Sequence, residues 1–179
     1  IGYIYTLGSH FIPEIMNQYM KEKGKNNIHF SFGQGTTKQV ITELKEGKYD
    51  FIFSSYIKGE EELEFYPVIE EELVLITPKN HILSNCDSID LSKTTEYDYI
   101  AYSKNSGLRT VIDQLFVKIK NHPKIAYEGE EDSSVAGLVA AGFGIAIVPK
   151  IPLLETMDVC VIPISAPEIK RYIYLVTKK

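Results

Sequence analysis

The sequence predicts an α/β protein in which helices flank mostly parallel sheets. Three observations support this: short apolar strand segments alternate with amphipathic helix segments, a polar stretch at residues 77–93 divides them into two similar series, and two further strand segments follow the second series. Strands joined through helices form parallel sheets, because right-handed crossovers place the helices on the sheet faces. A chain of 179 residues can hold one large domain or two small lobes.

The first series begins with a β-rich segment and a helix whose apolar residues recur every three to four positions up to a stop at Gly24. A segment with period-two alternation then predicts a strand, and a two-faced helix leads into a continuous apolar strand. The last segment of the series is extended. The predicted strands are residues 1–7, 28–32, 50–55 and 66–78, and the predicted helices are residues 9–24 and 37–46.

The second series repeats this alternation and then adds the two closing strands. Gly142 and Gly144 predict a tight turn and not a nucleotide-binding loop, because they follow a helix and precede a strand, which reverses the dinucleotide-binding order. The predicted strands are residues 97–103, 124–129, 144–149, 159–164 and 171–178, and the predicted helices are residues 106–123 and 133–142.

Composition and charge exclude several classes of function. The 19 Lys and Arg against 24 Asp and Glu leave a net charge of −5, and the only arginines are Arg109 and Arg171, so the chain has no basic face for nucleic acid. Cys86 and Cys160 lack CxxC spacing and are expected to be free thiols in a reducing compartment. No cofactor or metal site is predicted, since the four histidines are scattered at His10, His29, His81 and His122.

The ends of the chain and its apolar runs predict a cytoplasmic protein. The first residues resemble a strand and not a basic leader, and no apolar run approaches the roughly 20 residues that a membrane span requires. Because the chain begins with Ile, it is expected to be a fragment or a processed product.

Small and hydroxyl-bearing residues follow most of the predicted strands. Ligands of open α/β sheets bind beyond the carboxyl ends of the strands, where helix N–H groups and hydroxyls suit a small polar ligand. The predicted ligand-binding residues are Thr6, Gly8, Ser9, Gly35, Thr36, Thr37, Ser54, Ser55, Tyr102, Ser103, Asn105, Ser106, Asp132 and Ser133.

Several of these polar residues have a structural interpretation as well. Ser9, Thr36 and Thr37 suit helix caps, a role that is compatible with ligand binding. Arg109 suits either a ligand carboxylate or a surface ion pair with Asp113 four residues later, and the pair is favoured.

Five sequence blocks resemble a known family in their order and spacing. GTTKQVITELKEGKYDFIF, EEELVLITPKNHIL, SGLRTVIDQLF, LVAAGFGIAIVP and RYIYLVTKK are similar, from end to end, to the effector-binding domain of LysR-type transcriptional regulators. The resemblance implies a type 2 periplasmic-binding-protein-like fold, with two lobes joined by two crossover strands and a small polar effector in the cleft. Lobe I would comprise residues 1–77 and 164–179, and lobe II residues 78–163.

The resemblance also implies partners and site residues. The domains would form an antiparallel homodimer, with helix 9–23 near helix 106–120 of the partner, and a tetramer in the full-length protein. DNA would be bound only by an amino-terminal winged helix-turn-helix that has no counterpart here. Thr6, Thr36 and the segment 103–106 fall at family effector positions.

One departure concerns the acidic residues Glu130, Glu131 and Asp132, which would lie close to the expected effector. Their charge would repel an anion and favours an amino-acid-like or neutral effector.

Three classes of function are therefore considered. An effector-sensing module of a bacterial regulator is the leading prediction, and a solute-binding protein of a transport system is the alternative. An enzyme is disfavoured, because no nucleophile with a nearby base falls on the predicted loop edge.

Overall fold

The computed structural model describes residues 1–24 and 28–179, which form an α/β structure with short 3₁₀ helices at Tyr5–Leu7, Leu91–Lys93 and Pro152–Thr156. The helices are α1 (Phe11–Lys23), α2 (Thr37–Lys45), α3 (Gly107–Lys118) and α4 (Asp132–Ala140). The strands are β1 (Gly2–Ile4), β2 (Gly33–Gly35), β3 (Ile52–Ser54), β4 (Leu63–Glu71), β5 (Leu73–Pro78), β6 (Ile89–Asp90), β7 (Asp98–Tyr102), β8 (Lys124–Gly129), β9 (Ala146–Pro149), β10 (Val159–Ala166) and β11 (Arg171–Lys178).

The chain divides into two compact units. Unit 1 comprises Ile1–Ile69 and Ile173–Lys179, and unit 2 comprises Glu70–Tyr172. The sequence placed the lobe boundaries at 77/78 and 163/164 instead. The difference arises because β5 and β10, which those boundaries would cut, pair with each other inside unit 2.

Unit 1 contains a five-stranded sheet in the order β2-β1-β3-β11-β4. Strand β1 is parallel to both β2 and β3, as expected for strands connected through α1 and α2, whereas β11 is antiparallel to β3. Helix α2 packs on β1 and β3 through the predicted apolar face of Val40, Ile41 and Leu44, which are all buried. Pro67 fits in β4 because an edge strand does not need every backbone donor.

Two glycines in unit 1 are required by close packing. The Tyr49 ring lies against Gly2 and Gly33, which are register partners in β1 and β2. A Cβ at Gly33 would overlap the Tyr49 hydroxyl, and a Cβ at Gly2 would lie 2.5 Å from a ring carbon. Any larger residue at either position would therefore displace Tyr49.

Unit 2 contains a four-stranded sheet in the order β6-β10-β5-β9 and a two-stranded parallel sheet of β7 and β8. All six residues of β5 are buried, because β10 and β9 flank this strand and α4 packs against it. The largest fully buried side chains of this unit are Leu75, Ile76, Leu91, Ile100, Leu108, Phe116, Ile145, Ile147 and Ile162.

Most predicted elements are confirmed, including the bounds of β8 and β11. The predicted strand 28–32 is wrong, since the strand in this region is β2 at Gly33–Gly35. The single extended segment 66–78 is in fact two strands, β4 and β5, which belong to different sheets. The four-stranded sheet also has antiparallel pairs, which β5 forms with β9 and β10.

The turn predicted at Gly142 and Gly144 is confirmed. Both glycines have positive φ angles, 83° and 156°, between the end of α4 and the start of β9. Among residues 1–24 and 28–179, no helix combines the length and the apolar character needed to cross a membrane.

Candidate functional site

Three hydroxyl-bearing segments follow adjacent parallel strands in unit 1. The register pairs Ile4 of β1 with Gly35 of β2, and Tyr3 of β1 with Phe53 of β3. The carboxyl ends of the three strands therefore meet at one edge of the sheet. The predicted residues that lie at or after these ends are Thr6, Gly8, Ser9, Gly35, Thr36, Thr37, Ser54 and Ser55.

Thr36 is the N-cap of α2, as its structural interpretation predicted. Its Oγ1 accepts a hydrogen bond from the backbone N–H of Gln39 at 3.3 Å. Thr37 is buried at the first helical position, and the first turn of α2 contains no acidic residue. The positive end of this helix dipole is therefore not neutralised by a carboxylate of its own first turn.

The other predicted residues of unit 1 differ in exposure. Ser54 and Ser55 are buried, and the Ser54 hydroxyl donates to the Ser55 carbonyl oxygen at 3.1 Å. Thr6 lies in a 3₁₀ helix and is partly exposed, whereas Ser9 is exposed and precedes α1. Ser9 does not cap α1, because the N-cap residue is His10.

In unit 2, the ends of β7 and β8 bring a second set of predicted residues together. Tyr102 and Gly129 are register partners, and the Ser103 N–H donates to the Gly129 carbonyl oxygen at 2.8 Å. Asp132 begins α4 three residues later, and its Oδ1 accepts a hydrogen bond from the Tyr102 hydroxyl at 2.5 Å. The two strand ends are therefore joined by a backbone and a side-chain hydrogen bond.

The Tyr102–Asp132 pair is deeply buried. The exposed fractions of the two residues are 2% and 6%. Burial raises the pKa of the Tyr102 phenol well above its usual value, and the nearby Asp132 carboxylate raises it further. Tyr102 is therefore protonated at neutral pH and acts as the donor to Asp132.

Arg109 forms the predicted pair with Asp113, but it is 9% exposed and so is not a surface residue. Its Nε donates to Asp113 at 2.9 Å, and its Nη1 donates at 2.8 Å both to the Tyr102 carbonyl oxygen and to Glu128. Burial by itself would lower the pKa of Arg109. The hydrogen bonds that Arg109 donates to Glu128 and Asp113 outweigh this effect, so the pKa is raised. This arrangement links α3 to the ends of β7 and β8.

The loop between β7 and α3 holds the remaining predicted residues of this edge. Ser106 is the N-cap of α3, with its Oγ accepting from the Leu108 N–H at 3.3 Å. The Ser103 hydroxyl oxygen is buried and has no hydrogen-bond partner within the part of the chain that the structure describes. Asn105 and, on α4, Ser133 are exposed.

Sequence reasoning missed the contribution of Glu128 and placed Arg109 on the surface. A signal was available, because Arg109 lies three residues after the Ser106 cap, in the turn of α3 that faces the strand ends. Glu128 gave no such signal, since alternation along β8 does not reveal which residue faces a guanidinium.

The acidic segment after β8 is divided between surface and interior. Glu130 and Glu131 are exposed, whereas Asp132 is buried against Tyr102. Within residues 1–24 and 28–179, no three His, Cys, Asp or Glu side chains are grouped as a metal site requires.

An open pocket of about 410 Å³ lies beside α2 in unit 1. Its charged lining is partly neutralised internally, because the Lys45 ammonium contacts Glu60 at 2.9 Å and Glu62 at 2.8 Å. None of the predicted ligand-binding residues lines it. The lining residues are Lys38, Ile41, Thr42, Lys45, Glu46, Ile57 and Glu60.

Comparison with known proteins gives one consistent result. The family model described as the LysR substrate binding domain matches residues 1–179. The uncharacterized HTH-type transcriptional regulator YybE of Bacillus subtilis is 33% identical over 173 residues, which cover 97% of this chain and 59% of YybE. The chain thus spans about three-fifths of the length of the curated relatives that it matches first.

Solved structures show the same fold. The effector-binding domain of QuiR in complex with shikimate is 44% identical, with a TM-score of 0.97 over 99% of this chain and 85% of that one. The regulatory domain of CcmR from Synechocystis PCC6803 in complex with 2-PG is 20% identical, with a TM-score of 0.86 and the same coverage. The fold is therefore that of LysR effector-binding domains, the type 2 periplasmic-binding-like fold.

Proposed function

Since the chain belongs to the LysR substrate binding domain family, we propose that it is the effector-sensing part of a bacterial LysR-type transcriptional regulator. The match of the family model over residues 1–179 carries this proposal. The curated relatives are also named as transcriptional regulators, which favours a regulator over the solute-binding protein of a transport system.

The proposed effector is a small hydroxylated carboxylate of the kind represented by shikimate. This rests on the 44% identity to the shikimate-bound domain of QuiR. It replaces the amino-acid-like or neutral effector expected from the acidic segment 130–132. Two of those carboxylates are exposed, and Asp132 already accepts the Tyr102 hydroxyl.

We propose the two groups of strand-end residues as effector contacts. In unit 1 the support is the positive end of α2, capped by Thr36 and free of acidic residues in its first turn, a setting suited to a carboxylate. In unit 2 the support is the set of polar groups at the ends of β7 and β8.

The proposed mechanism is a shift between two conformations of the regulator. An effector can shift this equilibrium only if it binds one conformation more tightly than the other. The change would reposition winged helix-turn-helix domains, which bind the DNA in the full-length protein, and it requires no catalytic step. A regulator of promoters acts on cytoplasmic DNA, so the cytoplasm is the proposed compartment.

A homodimer is part of the proposal, with a tetramer in the full-length protein. Its support is the exposure of apolar side chains on the two helices predicted to meet: Ile15 and Tyr19 on α1, and Val117 on α3, which is 66% exposed. A sedimentation-velocity experiment tests it. We expect a dimer at micromolar concentration and a shift to monomer in Val117→Lys, and a monomeric unsubstituted chain would contradict the homodimer.

Titration calorimetry with shikimate tests the effector class. We expect saturable binding, and at a concentration of about 100 times Kd a gain of about 2.7 kcal/mol in unfolding free energy. 1-Cyclohexene-1-carboxylate, which has the ring and carboxylate of shikimate without its hydroxyls, is the matched control and should bind more weakly. Absence of binding by shikimate and by other hydroxylated carboxylates would refute the proposed effector class.

A further inference from the structure

The polar groups at the edge of unit 2 are arranged to accept hydrogen bonds. The Tyr102 hydroxyl uses its proton on Asp132, so any further group that meets this hydroxyl must be a donor. A carboxylate offers about four acceptor directions and no donor, so the same holds for Asp132.

The buried guanidinium of Arg109 at this edge is bonded to other groups. The Arg109 guanidinium donates to Asp113, to Glu128 and to the Tyr102 carbonyl oxygen. An effector carboxylate at Arg109 would share the guanidinium with the carboxylates of Asp113 and Glu128, which already form charge-assisted bonds to it.

The helix end at this edge is also unfavourable for an anion. Asp132 lies in the first turn of α4, where its carboxylate partly neutralises the positive end of the helix dipole. The first turn of α2 in unit 1 has no such residue. The two helix ends therefore differ in the charge that they favour.

One hydroxyl at this edge has an unused hydrogen-bonding capacity. The Ser103 Oγ is buried without a hydrogen-bond partner among the described residues, next in sequence to Tyr102. A buried hydroxyl of this kind is costly unless a water or a ligand completes it. It can accept from, or donate to, an effector hydroxyl.

We propose that Asp132 is a specificity-determining residue, through which unit 2 selects hydroxyl groups of the effector and excludes its carboxylate. This inference rests on the proposed function, and it specifies which groups of the effector face unit 2. Three groups act together on the hydroxyl groups of the effector. They are the charged carboxylate of Asp132, the Tyr102 hydroxyl that donates to it, and the Ser103 hydroxyl, which lacks a partner among the described residues.

Calorimetry on three variants tests the inference. Asp132→Asn keeps an oxygen that accepts from Tyr102 but removes the charge. Glu131→Gln removes the same charge from an exposed neighbour and is the matched control. Ser103→Ala removes a hydroxyl that has no hydrogen-bond partner among the residues that the structure describes, so it should fold normally. The probes are shikimate and 1-cyclohexene-1-carboxylate, and thermal unfolding of each variant checks the fold.

We expect Asp132→Asn to weaken shikimate binding about tenfold or more, while binding of 1-cyclohexene-1-carboxylate is unchanged or stronger. Glu131→Gln should stay within about twofold for both probes, and Ser103→Ala should weaken shikimate about threefold or more with little change in Tm.

Equal losses for Asp132→Asn and Glu131→Gln, or equal losses for both probes, would overturn the inference and leave the proposed function standing. No shikimate binding by the unsubstituted chain would overturn the effector class and this inference together.

Discussion

Glu71, the last residue of β4, accepts a hydrogen bond from the guanidinium of Arg171, the first residue of β11, in a buried ion pair. The exposed fractions of the side chains are 10% for Glu71 and 2% for Arg171. Burial lowers the pKa of Arg171 to about 9, which still leaves it charged at neutral pH. The pair links β4 to β11. In sequence, both residues lie within two positions of the points where the chain passes from one compact unit to the other.

We predict that Glu71→Gln lowers the free energy of unfolding by about 3 kcal/mol, because it takes the charged partner from a buried guanidinium. Glu72→Gln is the matched control. Glu72 contacts Lys150 at 2.9 Å with both side chains 54% exposed, so this change should cost less than about 1 kcal/mol. Urea denaturation at neutral pH measures both, and equal effects would show that burial of the pair is not decisive.

Two buried tyrosines predict a loss of stability at alkaline pH. Burial raises the pKa of Tyr99 and of Tyr102 above the usual value, and Asp132 adds to the effect at Tyr102, whereas the bond with Thr94 partly offsets it at Tyr99. Above about pH 10 the unfolded chain releases these phenolic protons and the folded chain keeps them, so stability falls as pH rises.

Urea denaturation from about pH 8 to about pH 11 tests this, with phenolate absorbance recorded in parallel. Tyr102→Phe should show a shallower decline with pH than the unsubstituted chain. Arg171, whose pKa is lowered to about 9, has the opposite effect on stability above that pH, but it does so in both proteins. An equal pH dependence in Tyr102→Phe and in the unsubstituted chain would therefore contradict the assignment of Tyr102.

Gly137 and Gly144 predict opposite effects of the same substitution. Gly137 lies inside α4, and a Cβ there would first meet Met157 at 4.0 Å, so Gly137→Ala should raise the unfolding free energy by about 0.5–1 kcal/mol. Gly144 has a φ of 156°, and a Cβ there would overlap the Asp98 carbonyl oxygen. Gly144→Ala should therefore be destabilising. Thermal unfolding measures both, and a stabilising Gly144→Ala would refute the packing.

Thr36 should contribute both to the stability of α2 and to effector binding. Thr36→Val removes the cap that accepts from Gln39, which should cost about 1 kcal/mol of unfolding free energy. It should also weaken shikimate binding about tenfold, since the hydroxyl is a proposed effector contact.

Two controls separate these roles of Thr36. Thr36→Ser keeps the hydroxyl and should retain both stability and affinity. Thr42→Val changes an exposed threonine of the same helix, whose hydroxyl donates to the Lys38 carbonyl oxygen, and should leave affinity unaltered. If Thr36→Val lost stability but bound shikimate normally, Thr36 would be a structural cap alone.

Local sequence patterns determined most of the elements. The apolar face of Val40, Ile41 and Leu44 predicted α2, and the runs at residues 124–129 and 171–178 predicted β8 and β11. These signals depend on periodicity and on turn residues within one segment, so no distant contact is needed to read them. The sequence also predicted that the hydroxyl-bearing strand ends of unit 1 lie at one edge, because parallel strands share their carboxyl ends.

Contacts between residues far apart in sequence were decided only by the tertiary structure. The strand predicted at residues 28–32 lies instead at Gly33–Gly35, where it pairs with β1 and packs against the Tyr49 ring. The break between β4 and β5 depends on which sheet each strand joins. The burial of Arg109 and the Tyr102–Asp132 hydrogen bond likewise join residues far apart in sequence. Such pairings arise from packing in three dimensions, which no local period encodes.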